Sequence, residues 1–214
     1  STWPARAECQ DMDFSDMVPG QATGPGPGGL LTFRRARFTP SSSSLLGFPQ
    51  SVVETDHVFA DGATVSGTML AGSTFSDTSL VGASFAGTSL ANARLTRTVL
   101  RGADLSRANL TGARLQGVDL SGADLSSVSG PELSWGSLPV GRESNDGPVN
   151  LKGANLTDAN LDGADLTQVL LDADTRLTRA RLPDARLPTS LRGMNLDGVT
   201  LSNLNWNGND LRGL

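Results

Sequence analysis

The chain has 214 residues, 37% of them hydrophobic, with 25 glycines, seven phenylalanines, three tryptophans and no tyrosine. So few aromatics exclude a thick aromatic core, and no apolar run approaches the roughly 18 residues of a membrane-spanning helix. A net charge of −5 favours solubility but names no partner, and the single cysteine, Cys9, excludes an internal disulfide.

Residues 1–58 are expected to form an irregular N-terminal cap. Met12 with Phe14, and Ala36 with Phe38, look like degenerate copies of the pattern that follows. The stretches 18–30 (VPGQATGPGPGGL) and 39–58 carry the prolines, glycines and serine run of surface loops. The N-terminus is acidic at Glu8, Asp11, Asp13 and Asp16. Acidic neighbours disfavour a thiolate, so Cys9 is read as structural rather than nucleophilic.

From Ala63 the sequence repeats every five residues. Val65, Leu70, Phe75, Leu80, Phe85, Leu90 and Leu95 continue through Leu125 without a break, and a small or slim residue sits two places before each (Ala63, Thr68, Ser73, Thr78). A helix needs apolar spacings of three and four, and a strand needs alternation at two, so neither fits. The pattern describes one short extended step with two side chains pointing inward, then a turn. A chain that turns every five residues coils on itself, and stacked coils can pair their backbones at the strand spacing of about 4.8 Å. The leucines then fill the axis, and the glycines recur where the chain turns.

The segments GADLS (102–106), RANLT (107–111), GARLQ (112–116), GVDLS (117–121) and GADLS (122–126) resemble the pentapeptide-repeat family, written A(D/N)LXX. The resemblance covers about 63–128 and 149–214. It implies an all-β, right-handed quadrilateral β-helix with four repeats per coil, an irregular N-terminal region and loop excursions. Residues 59–128 form its first part, 129–148 an excursion, and 149–214 its second part. Within the second part, a one-residue slip precedes Leu177, Leu182 and Leu187, and a one-residue deletion precedes Leu191, Leu196, Leu201, Trp206 and Leu211. The chain begins at Ser1, the start that removal of a tag, signal peptide or transit peptide would leave. Bacterial cytoplasm, extracytoplasmic space and plastid lumen all stay open as its compartment.

Chemistry-bearing patterns are sparse. One cysteine and one histidine cannot make a zinc site of the usual kind, so no metal is expected. His57 would have to serve any Ser-His-Asp arrangement, and no nucleophile elbow is present. The glycines form no phosphate-binding loop, so no cofactor is expected. These readings point away from an enzyme and toward a scaffold or protein-interaction module, a subunit or assembly factor of a larger complex. The candidate partner-binding residues are Trp135, Leu138, Arg142 and Glu143 in the excursion, and Arg176, Arg179, Arg181 and Arg186 in the locally basic stretch 174–192. In this reading Trp135 is exposed and has no core position to fill. A second candidate interface, with another protein or a second copy, is the C-terminal end at Trp206, Leu211 and Leu214. The alternative implied by the resemblance is a DNA-mimicking protein that binds DNA gyrase. Mimicry asks for a strongly acidic surface, because duplex DNA carries about one charge per 1.7 Å. Here Arg94 falls above Arg114, as Asp104 does above Asp124, if residues twenty apart stack. Direct nucleic-acid binding is not expected, and association with a membrane complex is left open.

Overall fold

The computed structural model describes residues 6–10, 30–34, 52–65, 70–131, 133–135, 147–204, 206, 209–210 and 212, with the backbone alone for 6–10, 30–34 and 52. Among them there is no helix. Strands β1 (Arg6–Gln10), β2 (Leu30–Arg34), β3 (Val52–Asp56), β4 (Thr74–Ser76), β5 (Arg94–Thr96), β6 (Arg114–Gln116) and β7 (Ser134–Trp135) form one parallel sheet in sequence order. Strands β8 (Val149–Asn150) and β9 (Val169–Leu170) pair on another side. Isolated parallel bridges link the remaining rungs, and the whole is a right-handed, four-sided β-helix.

The pairing assigns each repeat to a side. Face 1 carries Glu54, Thr74, Arg94, Arg114, Ser134, Asp165 and Arg186 in one outward column. Face 2 carries Phe59, Ser79, Val99, Asp119, Asn150 and Leu170. Face 3 carries Thr64, Ser84, Asp104, Asp124, Asn155 and Arg176, and face 4 carries Ser89, Asn109, Ser129, Asn160, Arg181 and Thr200. The residue after each of these points inward. Leu80, Leu90, Leu100, Leu105, Leu110 and Leu115 are each 1% exposed, and Ala83, Ala93, Ala103, Ala108 and Ala113 at the close-approach positions are fully buried. Each buried leucine contributes about 1.5–3 kcal/mol over an exposed one, so the axis carries most of the stability. Phe75 and Phe85, on opposite faces of one coil, meet edge to face with centroids 6.4 Å apart.

The corners explain the polar letters of the repeat. In the regular stretch the second residue after Leu100 to Leu125 holds a positive φ, 61° at Gly102 and 65° at Gly122. Glycine occupies that region without steric cost, and the turn closes with Ala103 N–H donating to the Leu100 carbonyl at 3.1 Å. The residue before the leucine locks the turn from outside. Asp104 Oδ1 accepts from Ser106 N–H at 2.9 Å, Asn109 Oδ1 from Thr111 N–H at 3.0 Å and Asp124 Oδ1 from Ser126 N–H at 2.9 Å. Asp and Asn are the side chains that make this bond two residues on. The corner from face 1 to face 2 is different: the strand runs on, and buried hydroxyls reach its carbonyls from the side. Buried Thr98 Oγ1 donates to the Phe75 carbonyl at 3.2 Å, and Thr78 Oγ1 donates to the Ser76 carbonyl at 2.9 Å. Threonine thus replaces alanine where its hydroxyl can give a strand carbonyl an additional donor.

Two boundaries differ from the sequence-based expectation. The N-terminal region is not wholly irregular, because β1 and β2 extend the face-1 sheet in register. Their rungs are 24 residues apart (Arg6 to Leu30) and then 22 (Leu30 to Val52), before the spacing settles at 20 (Glu54 to Thr74). The helix also continues beyond 128. Ser129 bridges Asn109 and Asn160, and Ser134 bridges Asp165, so the excursion begins after Trp135 rather than at 129. Gly130 and Leu133 hid this stretch by exchanging sizes. Gly130 stands where the face-4 column has leucine, and a Cβ there would lie 3.0 Å from Leu133 Cδ2. Leu133 stands where face 1 usually has a small residue, and it fills the space that Gly130 leaves.

Candidate interaction surface

The structure corrects the expectation for Trp135. The side chain is fully buried in β7, in the inward column between Leu115 and Leu166. It has a core position to fill and is not an exposed anchor. Among the described residues its indole Nε1 has no hydrogen-bond partner, and an unpaired buried donor costs about 1–3 kcal/mol. Leu138, Arg142 and Glu143 lie outside the described residues, as do Leu211 and Leu214. Trp206 is half-buried and packs against the core.

The four candidate arginines do not share one wall. Arg176 projects from face 3, Arg181 from face 4 and Arg186 from face 1, because successive repeats step round the coil. Arg186 Nη1 lies 2.8 Å from Asp165 Oδ2, one rung away on its own column. Arg179 stands at the corner between faces 3 and 4 and holds Asp158 through Nε and Nη2, both at 2.7 Å. That guanidinium keeps the Asp158 carboxyl below its usual range. Two of the four are therefore committed to carboxylates of the rod itself, and the basic stretch is a belt rather than a patch.

A polar string that sequence reasoning did not find runs along the corner after face 1. His57 Nδ1 lies 2.6 Å from Asp56 Oδ1, and the ligand atoms of Asp56, His57 and Asp77 all fall within 4.8 Å of one another. Asp77 is already held by Arg97, with Nε–Oδ1 at 2.7 Å and Nη2–Oδ2 at 2.6 Å. Arg97 is the first cause of the lowered Asp77 pKa. A cation so placed repels a metal ion, so the string is a run of polar contacts along the corner that ends in the Arg97–Asp77 ion pair. His57 is adjacent in sequence to Asp56, but Asp77 reaches it only because the coil repeats at twenty. Asp172 is a different case: burial pushes its carboxyl up, and donation from Gly153, Thr175 and Asp174 outweighs that and holds it down.

Face 2 is the wall with large apolar side chains on its outside. Phe59 is 56% exposed and Leu170 is 41% exposed. Val99 is half-buried between them. At about 4.8 Å per rung, these side chains span about 24 Å along one flat column. Beside Leu170, at the corner from face 1, lies a cleft of about 390 Å³ bounded by Pro148, Gln168, Pro188 and Ser190.

The family model described as pentapeptide repeats matches residues 61–97, 88–126 and 149–172, in eight copies. No curated protein matches the sequence. Among solved structures, the chain is similar to a trypsin-treated form of QnrB1, a plasmid-mediated fluoroquinolone resistance protein, at 18% identity and a TM-score of 0.43, covering 92% of this chain and 91% of that one. It is similar to HetL, a pentapeptide repeat protein involved in heterocyst differentiation regulation from the cyanobacterium Nostoc sp. strain PCC 7120, at 20% identity and a TM-score of 0.39, covering 95% and 89%. It is also similar to a pentapeptide repeat protein from the Arabidopsis thaliana thylakoid lumen, at 27% identity and a TM-score of 0.35, covering 53% and 68%. The five-residue period, the four columns and the matched copies agree, and over residues 61–126 and 149–172 the chain is made of the repeats of the pentapeptide-repeat family.

Proposed function

We propose that the protein is a non-catalytic interaction module, a rigid rod that presents exterior side chains in fixed register to another protein. The observation that carries this reading is the outer column of face 2. Phe59, Val99 and Leu170 stand outside a wall whose other apolar residues are drawn inward. Apolar side chains on a rigid, flat backbone lose little entropy on binding, which is what lets a small surface hold a partner. A second contact, end to end with another copy or another protein, would use Trp206, Leu211 and Leu214 at the C-terminal end.

The acidic residues support an interaction module over a DNA mimic. Asp104 and Asp124 spend carboxylate oxygens on turn amides, and Asn155 Nδ2 donates to Asp124 at 3.1 Å. Arg94 and Arg114 interrupt any run of negative charge on face 1. The test is side-by-side cross-linking of the wild type and a Phe59→Ser/Val99→Ser variant in extract of the source organism. The expected result is a discrete cross-linked partner that the variant loses at unchanged melting temperature. Equal cross-linking by both would sink the face-2 assignment. Gyrase supercoiling is expected to be unchanged by the protein, and protection of the enzyme would replace this reading with the DNA-mimicking one.

A further inference from the structure

The ladder of face 2 is broken at one rung near the C-terminal end. In the regular part, each outward residue donates its N–H back one coil and each leucine donates forward. Asp119 N–H meets the Thr98 carbonyl at 3.0 Å, Leu120 N–H the Asn150 carbonyl at 2.8 Å, and Leu151 N–H the Leu170 carbonyl at 2.9 Å. The next step is missing. No bridge joins Leu170 to Ser190, and among the described residues neither the Leu171 nor the Ser190 N–H has a backbone partner. The ladder then resumes, with Asp210 N–H on the Thr189 carbonyl at 2.8 Å and Leu191 N–H on the Asp210 carbonyl at 3.0 Å.

The cause is a mismatch in coil length. Asp165 to Arg186 spans 21 residues and Arg181 to Thr200 spans 19, because of an extra residue between Leu171 and Thr175 and a missing one between Leu187 and Leu191. Pro188 stands at the shortened corner and has no N–H to give. The seam is closed again at the next corner, where a Cβ on Gly193 would sit 3.9 Å from Ala173 Cβ, and on face 4, where Leu182 N–H donates to the Thr200 carbonyl at 2.9 Å. The result is a wedge, open toward the face-1 corner, which is the 390 Å³ cleft described above.

We propose that this cleft binds an extended, uncharged peptide segment of a partner protein, which docks by its main chain. The inference rests on the reading of the chain as an interaction module and narrows it to one site and one ligand chemistry. Three features point to a peptide backbone. Among the described residues both lips carry main-chain groups that the ladder leaves without a backbone partner, the N–H groups of Leu171 and Ser190 and the carbonyls of Val169 and Ser190, and the natural complement to such groups on a strand edge is another strand. No described lining residue is charged, so none of them rewards a phosphate, carboxylate or ammonium group. Leu170, Pro148 and Pro188 offer apolar seats for alternate side chains, and the volume falls in the usual range for ligand sites, about 300–1,000 Å³.

The experiment uses the full chain, labelled with ¹⁵N, and the blocked peptide acetyl-Thr-Val-Val-Thr-amide as probe. Its twin carries N-methyl groups on both valines, which removes donors while keeping the side chains. The expected result is saturable shifts at the Leu171 and Ser190 amides, slower exchange of both on binding, and at least tenfold weaker binding by the methylated twin. Leu170→Arg is expected to weaken binding at least tenfold at unchanged melting temperature, since Leu170 is already partly in solvent. The proposal is overturned by equal binding of the two peptides, or by no saturable shift at millimolar peptide. It is also overturned if Leu171 and Ser190 in the free protein exchange as slowly as Leu151. If the peptide fails while capture through Phe59 and Val99 persists, the cleft alone falls. If capture fails while the peptide binds, the face-2 reading falls and the cleft stands.

Discussion

Residues 70–131 and residues 160–204 are built from the same letters and behave differently. In the first stretch every rung lies twenty residues from the next, and each leucine is at most 2% exposed. In the second, rungs lie 21 and then 19 residues apart, and Leu171, Leu187, Leu196 and Leu201 are only partly buried. Composition does not separate the two, since GADLT at 163–167 is as good a repeat as GADLS at 102–106. What separates them is phase. A solenoid is held by contacts between neighbouring coils, so one residue too many on one side and one too few on the next costs pairing where the two meet.

The largest expected effect tests that difference directly. Leu105→Ala removes a leucine from a column with neighbours above and below, and a loss of about 3 kcal/mol is expected. Leu201→Ala removes one that is only partly buried, and a loss of about 1 kcal/mol is expected. Denaturant unfolding of both variants measures the two values. Equal losses would mean that the out-of-phase coils are packed as tightly as the regular ones.

The size exchange at Gly130 and Leu133 is the next way to sharpen the comparison, because it lies at the boundary of the regular stretch. Gly130→Leu drives a side chain into Leu133 and is expected to cost about 2 kcal/mol by overpacking. Leu133→Ala opens a cavity and is expected to cost about 2–3 kcal/mol. The double variant restores the family pattern at both positions, leucine at one and alanine at the other. It is expected to be at least 1 kcal/mol more stable than the sum of the single losses allows. Strict additivity in the melting curves would show that the two positions do not compensate each other.

That exchange also shows what was legible before the structure. The leucine period gave away the coil, its inward columns and the close-approach alanines, because each repeat carries its own burial pattern. Trp135 was misjudged because Gly130 and Leu133 break the pattern in opposite directions, and compensation between two positions is invisible when each is scored alone. β1 and β2 were missed because their coils are 24 and 22 residues long, which destroys a fixed period without destroying the pairing. The bonds from the aspartates to the turn amides depend on backbone direction, which the letters of the repeat do not state. The slip before Leu177 and the deletion before Leu191 were both visible. Their consequence, a cleft, needed knowledge of which rungs face each other.

The smallest expected effect concerns charge on the outer columns, where two stacked pairs in the regular stretch differ in sign. Asp77 and Arg97 are opposite charges one coil apart, and the guanidinium keeps the carboxyl below its usual range. Arg94 and Arg114 are like charges in direct register, an arrangement that costs a few tenths of a kcal/mol to about 1 kcal/mol between strands. Arg114→Glu converts the second pair into the kind formed by the first, so a rise in melting temperature is expected at neutral pH and low salt. Two controls identify the cause. Added salt should raise the wild type slightly, by screening the repulsion, and should shrink the variant's gain. Acid should act through the carboxyl. A group whose pKa is depressed in the folded state stabilises above its unfolded value, about 4, and loses that contribution as pH falls through the folded value. The variant's gain should therefore diminish below about pH 4, and Asp77→Asn should remove the corresponding acid sensitivity from the wild type. A gain that ignores both salt and pH would mean that Arg114→Glu acts through strand packing and not through charge.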